Sequence, residues 1–503
     1  MRLHRQVFVW LAAACLSPAR GNDDAESFFL QGVTAYGNGQ VQEAHDAFAK
    51  CLQLEATRLD CMTNLASTLV DLGNDQAAEE LYRAVLAVEP GHADAAYNLA
   101  LMLQDRRHDE NAIAEAVHFY KRVVTSDPSR WDAWGNLAAA AYELKREPLV
   151  SIRAYQRAIV QLEGEHENSQ TEADPDEIEV LSKLYYGLGM GLNELSDAQC
   201  AQLAAGKNSL LIGVNEDGVA DDGSPITTAE VCKENAQNAL RSAVDIDPDN
   251  AQAEHMLAAM SADGDGAGDG AGSRLGRASP AFVKALFDDF SDSFDEKLTS
   301  LGYKVPKLIG DTVASYVRSR RRGEPFRTAL DAGCGTGLAG PHLRPLITGS
   351  LIGADISPKM LEKAKTLRVE GSGQAVYDGL SAVDLIELSA SDVLPPAEAS
   401  QGFELVTAAD VLVYFGALHD LVASFGRVSS PSSVLIFTCE RATPEEAPEG
   451  WRLLSSGRFA HTRAYVEGVA RKAGGYQLVS YEEIVPRVEF GKPVPGHVFV
   501  FAR

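Results

Sequence analysis

A period of 34 residues governs the first half of this chain. Residues 25–58 and 59–92 align on each other, with Gly32 opposite Ala66, Gly39 opposite Gly73, Ala44 opposite Ala78 and Phe48 opposite Tyr82. Each unit reads as two amphipathic helices, with small residues at their crossing so that the backbones approach closely. Pro90 closes the second unit, because proline cannot continue a helix. A third unit begins at Ala93 and carries Leu99, Ala100, Tyr120, Val123 and Pro128, with a four-residue insertion in its turn. Trp134, Leu137, Ala138, Tyr155 and Ala158 mark a fourth. A fifth starts at Leu188–Gly189 and finishes with Ala236, Leu240, Ala243 and Pro248 after a polar insertion; a last helix, Ala251 to Ser261, is expected to cap the stack. Such units cannot bury their apolar faces singly, so they stack into an all-α solenoid with a concave surface. That surface is read as a docking groove for a protein or peptide, against the alternative of a purely structural stack. Residues 262–279 begin Ala-Asp-Gly-Asp-Gly-Ala-Gly-Asp-Gly and offer no apolar face, so they read as a flexible linker.

A different pattern opens at Thr328: a short apolar strand, Asp331, then glycines at 333, 335 and 337. Glycine at alternate positions lets a backbone turn sharply against a ligand. A second strand, Ser350 to Ala354, ends in Asp355, placed to take a ribose diol. Gly335 to Gly340 spells GxGxxG, which alone fits a dinucleotide. Asp331 argues against that, since a carboxylate at the strand end suits an ammonium and not a pyrophosphate. Further strands are expected at Phe403–Thr407, Ser433–Thr438, Tyr476–Ile484 and His497–Ala502, the last two as a terminal antiparallel hairpin.

This order resembles a class I S-adenosylmethionine-dependent methyltransferase, and Leu330-Asp-Ala-Gly-Cys-Gly-Thr-Gly337 is similar to that family's first motif. Leu286-Phe-Asp-Asp-Phe290, Phe294-Asp-Glu296, Leu301-Gly-Tyr303 and Gly457-Arg-Phe-Ala-His461 extend the resemblance to bacterial predicted methyltransferases fused to tetratricopeptide repeats. It spans both halves and departs in insertions near 163–179 and 201–231 and in the long linker. The implied fold is a tetratricopeptide solenoid at 25–261, followed by a Rossmann-like α/β methyltransferase domain at 280–503. By matching position, Asp331, Gly333, Gly335 and Gly337 would surround the methionine moiety. Asp355 would bind the ribose hydroxyls, Ile356 would pack on the adenine and Asp384 would meet its amino group. Asp410 and Val411 would face the reactive end. Methyl transfer needs a base only when the acceptor arrives protonated. The candidates are Tyr414, His419 and His461; His461 leads because of the resemblance, with Arg458 and Arg463 nearby as anion anchors. Cys334 reads as a filler in the loop, and no metal cluster is apparent.

Charge and cysteines bound the rest. The 503 residues carry a formal charge of −26, against nucleic acid as a partner. Residues 279–503 hold 27 acids and 24 bases, so the excess lies in the first half. Arg2 and Arg5 precede an apolar run, Val7 to Leu16, with Ala19 and Gly21 before Asn22. Residues 1–21 therefore read as a signal peptide directing the chain to a secretory pathway or organelle lumen, with the cytoplasm as the alternative. No later run is long enough to span a bilayer, so no membrane association is expected once the signal is removed. Cys200 and Cys232 fall at neighbouring ends of antiparallel helices in the fifth unit, where either a disulfide or two free thiols fit. Three functions stay open: a methyltransferase acting on a protein docked by the repeats, a small-molecule methyltransferase whose repeats serve assembly, and a non-catalytic scaffold.

Overall fold

The computed structural model describes residues 23–503 except 107–108, 170–173, 205–227, 263–274, 292–293, 296–297, 299–301 and 490–491. The signal-like start and most of the linker and second insertion lie outside the described residues. The chain divides into two compact units at Asp247/Pro248.

The first unit is helical. Antiparallel pairs form between α1 (Asp23–Gly37) and α2 (Val41–Leu54), α3 (Leu59–Asp71) and α4 (Asp75–Val88), α5 (Ala93–Asp105) and α6 (Glu110–Ser126), and α7 (Trp131–Leu144) and α8 (Pro148–Ser169). The fifth pair joins α9 (Pro175–Asn193) to α11 (Thr228–Ile246), with the short α10 (Asp197–Ala204) between them. The small residues at the crossings are sterically required: a Cβ on Gly32 would lie 2.6 Å from the ring of Phe48. The periodic positions Phe48, Tyr82, Tyr120 and Tyr155 are all at most 2% exposed. Two disulfides brace this unit. Cys200 in α10 is bonded to Cys232 in α11, with Cα atoms 6.2 Å apart, and Cys51 in α2 is bonded to Cys61 in α3. Sequence reasoning missed the second pair because it joins the end of one repeat to the start of the next.

The second unit begins earlier than the sequence indicates. Helix α12 (Ala251–Ala262), expected to cap the repeats, belongs to this unit. Its His255 ring stacks on Phe282 with centroids 4.0 Å apart, its Nε2 lies 2.8 Å from the Gly457 carbonyl, and Ala259 packs with Leu453 and Phe459. The last linker residues are likewise built in: the Ala278 amide donates to the Tyr414 carbonyl, and Ala278 is buried. Ser279 then caps α13 (Pro280–Phe290) by accepting from the Phe282 amide. Helix α14 (Val305–Arg320) leads into the sheet.

The central strands are β1 (Ala329–Ala332), β2 (Leu351–Asp355), β3 (Gly379–Ala382), β4 (Phe403–Ala408) and β5 (Ser429–Arg441). They are followed by β6 (Trp451–Leu453), β7 (Phe459–His461), β8 (Gln477–Ile484), a separate two-stranded pair of β9 (Val488–Glu489) and β10 (Lys492–Pro493), and β11 (Gly496–Ala502). The main sheet runs β3-β2-β1-β4-β5-β11-β8. Its first five strands are parallel, and β11 lies antiparallel between β5 and β8, as the terminal hairpin predicts. Alternate residues feed opposite faces: Ala329, Leu405, Val434 and Ile436 pack toward α14, whereas Leu330, Val406, Leu435 and Phe437 pack toward α15 (His419–Val428) and α16 (Arg463–Gly474). Strand order reverses direction at β1, between β2 and β4. In open parallel sheets ligands bind beyond the carboxyl ends of the strands at such a reversal.

Candidate functional site

Four carboxylates stand at that reversal in the order of their strands: Asp384 beyond β3, Asp355 ending β2, Asp331 in β1 and Asp410 beyond β4. At about 4.8 Å per strand they span about 14 Å. All four line one cavity of about 1050 Å³, its open mouth included, together with Gly333, Gly335, Ile356, Val411 and Tyr414.

The turn after β1 is shaped by its glycines. Gly333, Gly335 and Gly337 have φ of 68°, 55° and 91°, in the left-handed region, and a Cβ on Gly333 would meet Val411 Cγ2 at 2.3 Å. Backbone amides hold the turn against β2: Gly333 donates to the Ala354 carbonyl at 2.7 Å and Gly335 donates to Asp355 Oδ2 at 2.9 Å. Asp355 Oδ1 accepts from the Ser357 amide at 2.9 Å, and burial pushes its carboxyl up. Asp331 accepts from the Tyr377 hydroxyl at 2.6 Å and the Thr407 hydroxyl at 3.2 Å. Burial outweighs those two donors and raises its carboxyl to about 6. A buried carboxylate of raised basicity is one that a cation at the site would relieve.

The other expected residues separate. Asp384 lines the cavity but is engaged by Arg277 at 2.6 Å, so an adenine amino group would share it with that guanidinium. Asp410 adopts φ 59°, uncommon away from glycine, and sits 3.4 Å from Arg487 and 3.7 Å from Arg458. Tyr414 is on the wall, its phenol pushed up by burial. His461 is not on the wall. It is fully buried in β7 with Nε2 3.2 Å from the Gly416 carbonyl, and desolvation lowers it to about 4. His419 begins α15 in an exposed position. Of the Gly457–His461 motif it is Arg458 that reaches the cavity: the turn between β6 and β7 presents it, and alternation then turns His461 into the core. Arg277, Tyr303 and Phe287 line the cavity too; only fragments of the family motifs flagged the last two, and nothing flagged Arg277. No cluster of metal-ligating groups occurs among the described residues.

The glycine turn, the acid ending the second strand and a cavity across the reversal define a nucleotide-cofactor site of the class I methyltransferase type. The family models agree. Residues 330–437 match the methyltransferase domain family and residues 35–103 match the tetratricopeptide repeat family. Among solved structures, magnesium protoporphyrin IX methyltransferase from Synechocystis PCC 6803, with S-adenosylmethionine bound, is 17% identical and covers 44% of this chain and 97% of its own, with a TM-score of 0.32. An S-adenosylmethionine-dependent methyltransferase from Mesorhizobium loti is 19% identical over 36% of this chain and 91% of its own, with a TM-score of 0.28. The protein MamA is 21% identical over 29% of this chain and 81% of its own, with a TM-score of 0.26. None of the curated proteins matches significantly. The chain thus joins tetratricopeptide repeats to a methyltransferase domain, as the sequence resemblance implies, and its cofactor is S-adenosylmethionine. The donor set fits that cofactor: Asp331 for an ammonium and Asp355 for a diol, with Gly333 and Gly335 on the same wall.

Proposed function

We propose that this protein transfers the methyl group of S-adenosylmethionine to a protein or peptide acceptor engaged by its repeats. The observation that carries the reading is the single cavity in which Asp331, Asp355 and the glycine turn share a wall with Asp410, Tyr414 and Arg458. Cofactor-holding groups and acceptor-facing groups thus meet in one space, as in-line transfer requires. The sulfonium brings an already activated methyl, and the chain's work is to orient the cofactor and place the acceptor. Support for a macromolecular acceptor is the solenoid itself, since repeat arrays are widely used as extended binding surfaces. Tritiated cofactor added to a cell extract with the full chain tests this. Label should enter protein and should fall when residues 25–247 are deleted; label confined to small metabolites would refute a protein acceptor.

An oxidising compartment is part of the proposal. Its support is the pair of disulfides, Cys51–Cys61 and Cys200–Cys232, together with the signal-like residues 1–21. Mass mapping of the native protein without reductant should find both pairs oxidised and an N-terminus at Asn22.

A further inference from the structure

Two arginines meet Asp410, Arg458 on the cavity wall and Arg487 off it, and they are used in different ways. Arg487 spends all three guanidinium nitrogens on carboxylates: Nε lies 2.6 Å from Glu489, Nη1 lies 3.4 Å from Asp410, and Nη2 bonds Glu440. Arg458 touches the same acids through Nη1 alone, 3.4 Å from Glu440 and 3.7 Å from Asp410. Its Nε and Nη2 have no hydrogen-bond partner among the described residues, and its side chain is 25% exposed on the cavity wall. Nε and Nη2 together form the planar fork that binds a carboxylate side-on through two parallel hydrogen bonds.

The same wall provides no unengaged base to take a proton from an acceptor. Neither histidine nor lysine lines it among the described residues. Its acids are occupied: Asp331 by two hydroxyls, Asp355 by backbone amides, Asp384 by Arg277 and Asp410 by the two arginines. Burial raises the phenols of Tyr303 and Tyr414, which therefore keep their protons and act only as donors or packing. An amine that arrives as ammonium, or an alcohol, must shed a proton on methylation; a carboxylate sheds none.

Resting on the methyltransferase reading, we propose that the acceptor is a carboxylate gripped by Nε and Nη2 of Arg458, and that the product is a methyl ester. The acceptor oxygen forms the new C–O bond as the methyl–sulfur bond breaks, and the electron pair of that bond stays on sulfur. One negative and one positive charge become two neutral products, so no proton moves. A single guanidinium then both orients the acceptor and leaves its second oxygen lone pairs for attack.

The test uses the full chain, tritiated S-adenosylmethionine and a cell extract, followed by mild alkali and counting of volatile methanol. Methyl esters release methanol under alkali, whereas N-, S- and C-methyl groups and methyl ethers hold their label. The expected result is base-labile label. Arg458→Gln should lower transfer about 10- to 100-fold, the loss for a hydrogen-bonded charge pair, and Arg458→Lys should fall between the two. Calorimetric titration of each variant with cofactor should give unchanged affinity, which also shows that the fold is intact. Base-stable label overturns the proposal, as does base-labile transfer that Arg458→Gln leaves untouched. Weakened cofactor binding in Arg458→Gln overturns it too, because Arg458 would then hold the cofactor's own carboxylate. A complete failure of label to leave the cofactor would instead refute methyl transfer itself.

Discussion

Asp331 and Asp355 occupy one wall but answer to different forces. Asp331 has its carboxyl raised to about 6 by burial, so it is ionised at neutral pH and protonated in mild acid. Two effects of opposite sign follow. Without ligand, the strain of the buried charge is relieved as pH falls from 6 toward 3.8, so this group adds stability there. Ammonium binding needs the charge, so cofactor affinity should be flat above about pH 7 and fall up to about tenfold per pH unit below 6. Titration calorimetry between pH 5 and 8 checks this, and Asp331→Asn should bind weakly with no such slope. Asp355 is fixed by the amides of Gly335 and Ser357. Asp355→Ala should therefore cost about 1.5–3 kcal/mol of cofactor binding, the range for lost hydrogen bonds to a charged group. Unchanged affinity would remove Asp355 from the site.

Elements were legible where a repeating pattern or a strand-end motif marked them. Phe48, Tyr82 and Tyr120 announced the helix pairs, and the glycines at 333, 335 and 337 announced the turn after β1. The residues that complete the site were less legible, because Arg277 on the wall and Arg487, paired with Asp410, come from segments without periodicity. His461 misled for a related reason: the motif was real, but a strand turns successive side chains to opposite faces, and Arg458 lay on the useful one. Helix α12 misled because its alanines satisfy a repeat template equally well, whereas His255 finds its partners in Phe282 and Gly457. His255→Ala should destabilise the second unit by about 2 kcal/mol, combining a lost hydrogen bond and a lost ring contact. Urea unfolding of residues 248–503 reads that loss directly. The disulfides belong to the other unit. In the chain-entropy view, with 10 and 32 residues of separation, they contribute about 3 and 4 kcal/mol. Reductant should lower the melting of the repeats and leave the catalytic transition in place, since Cys334 and Cys439 are free and buried.

At the scale of the whole molecule, the boundary found at Asp247/Pro248 changes how the chain should be divided. A fragment starting at Pro248 should fold and bind cofactor. One starting at Pro280 lacks α12 and the strand-like contact of Arg277 with Phe415, and should unfold at lower urea and bind more weakly. Equal midpoints for the two would show that α12 is dispensable. The same boundary falls before α12, so in sequence the Gly- and Asp-rich residues 263–274 do not separate the two units. A protease that cuts there would nick the protein without parting it. Two bands would run on a denaturing gel, yet one species would elute from a sizing column, held together by a helix docked on a body to which it is no longer joined.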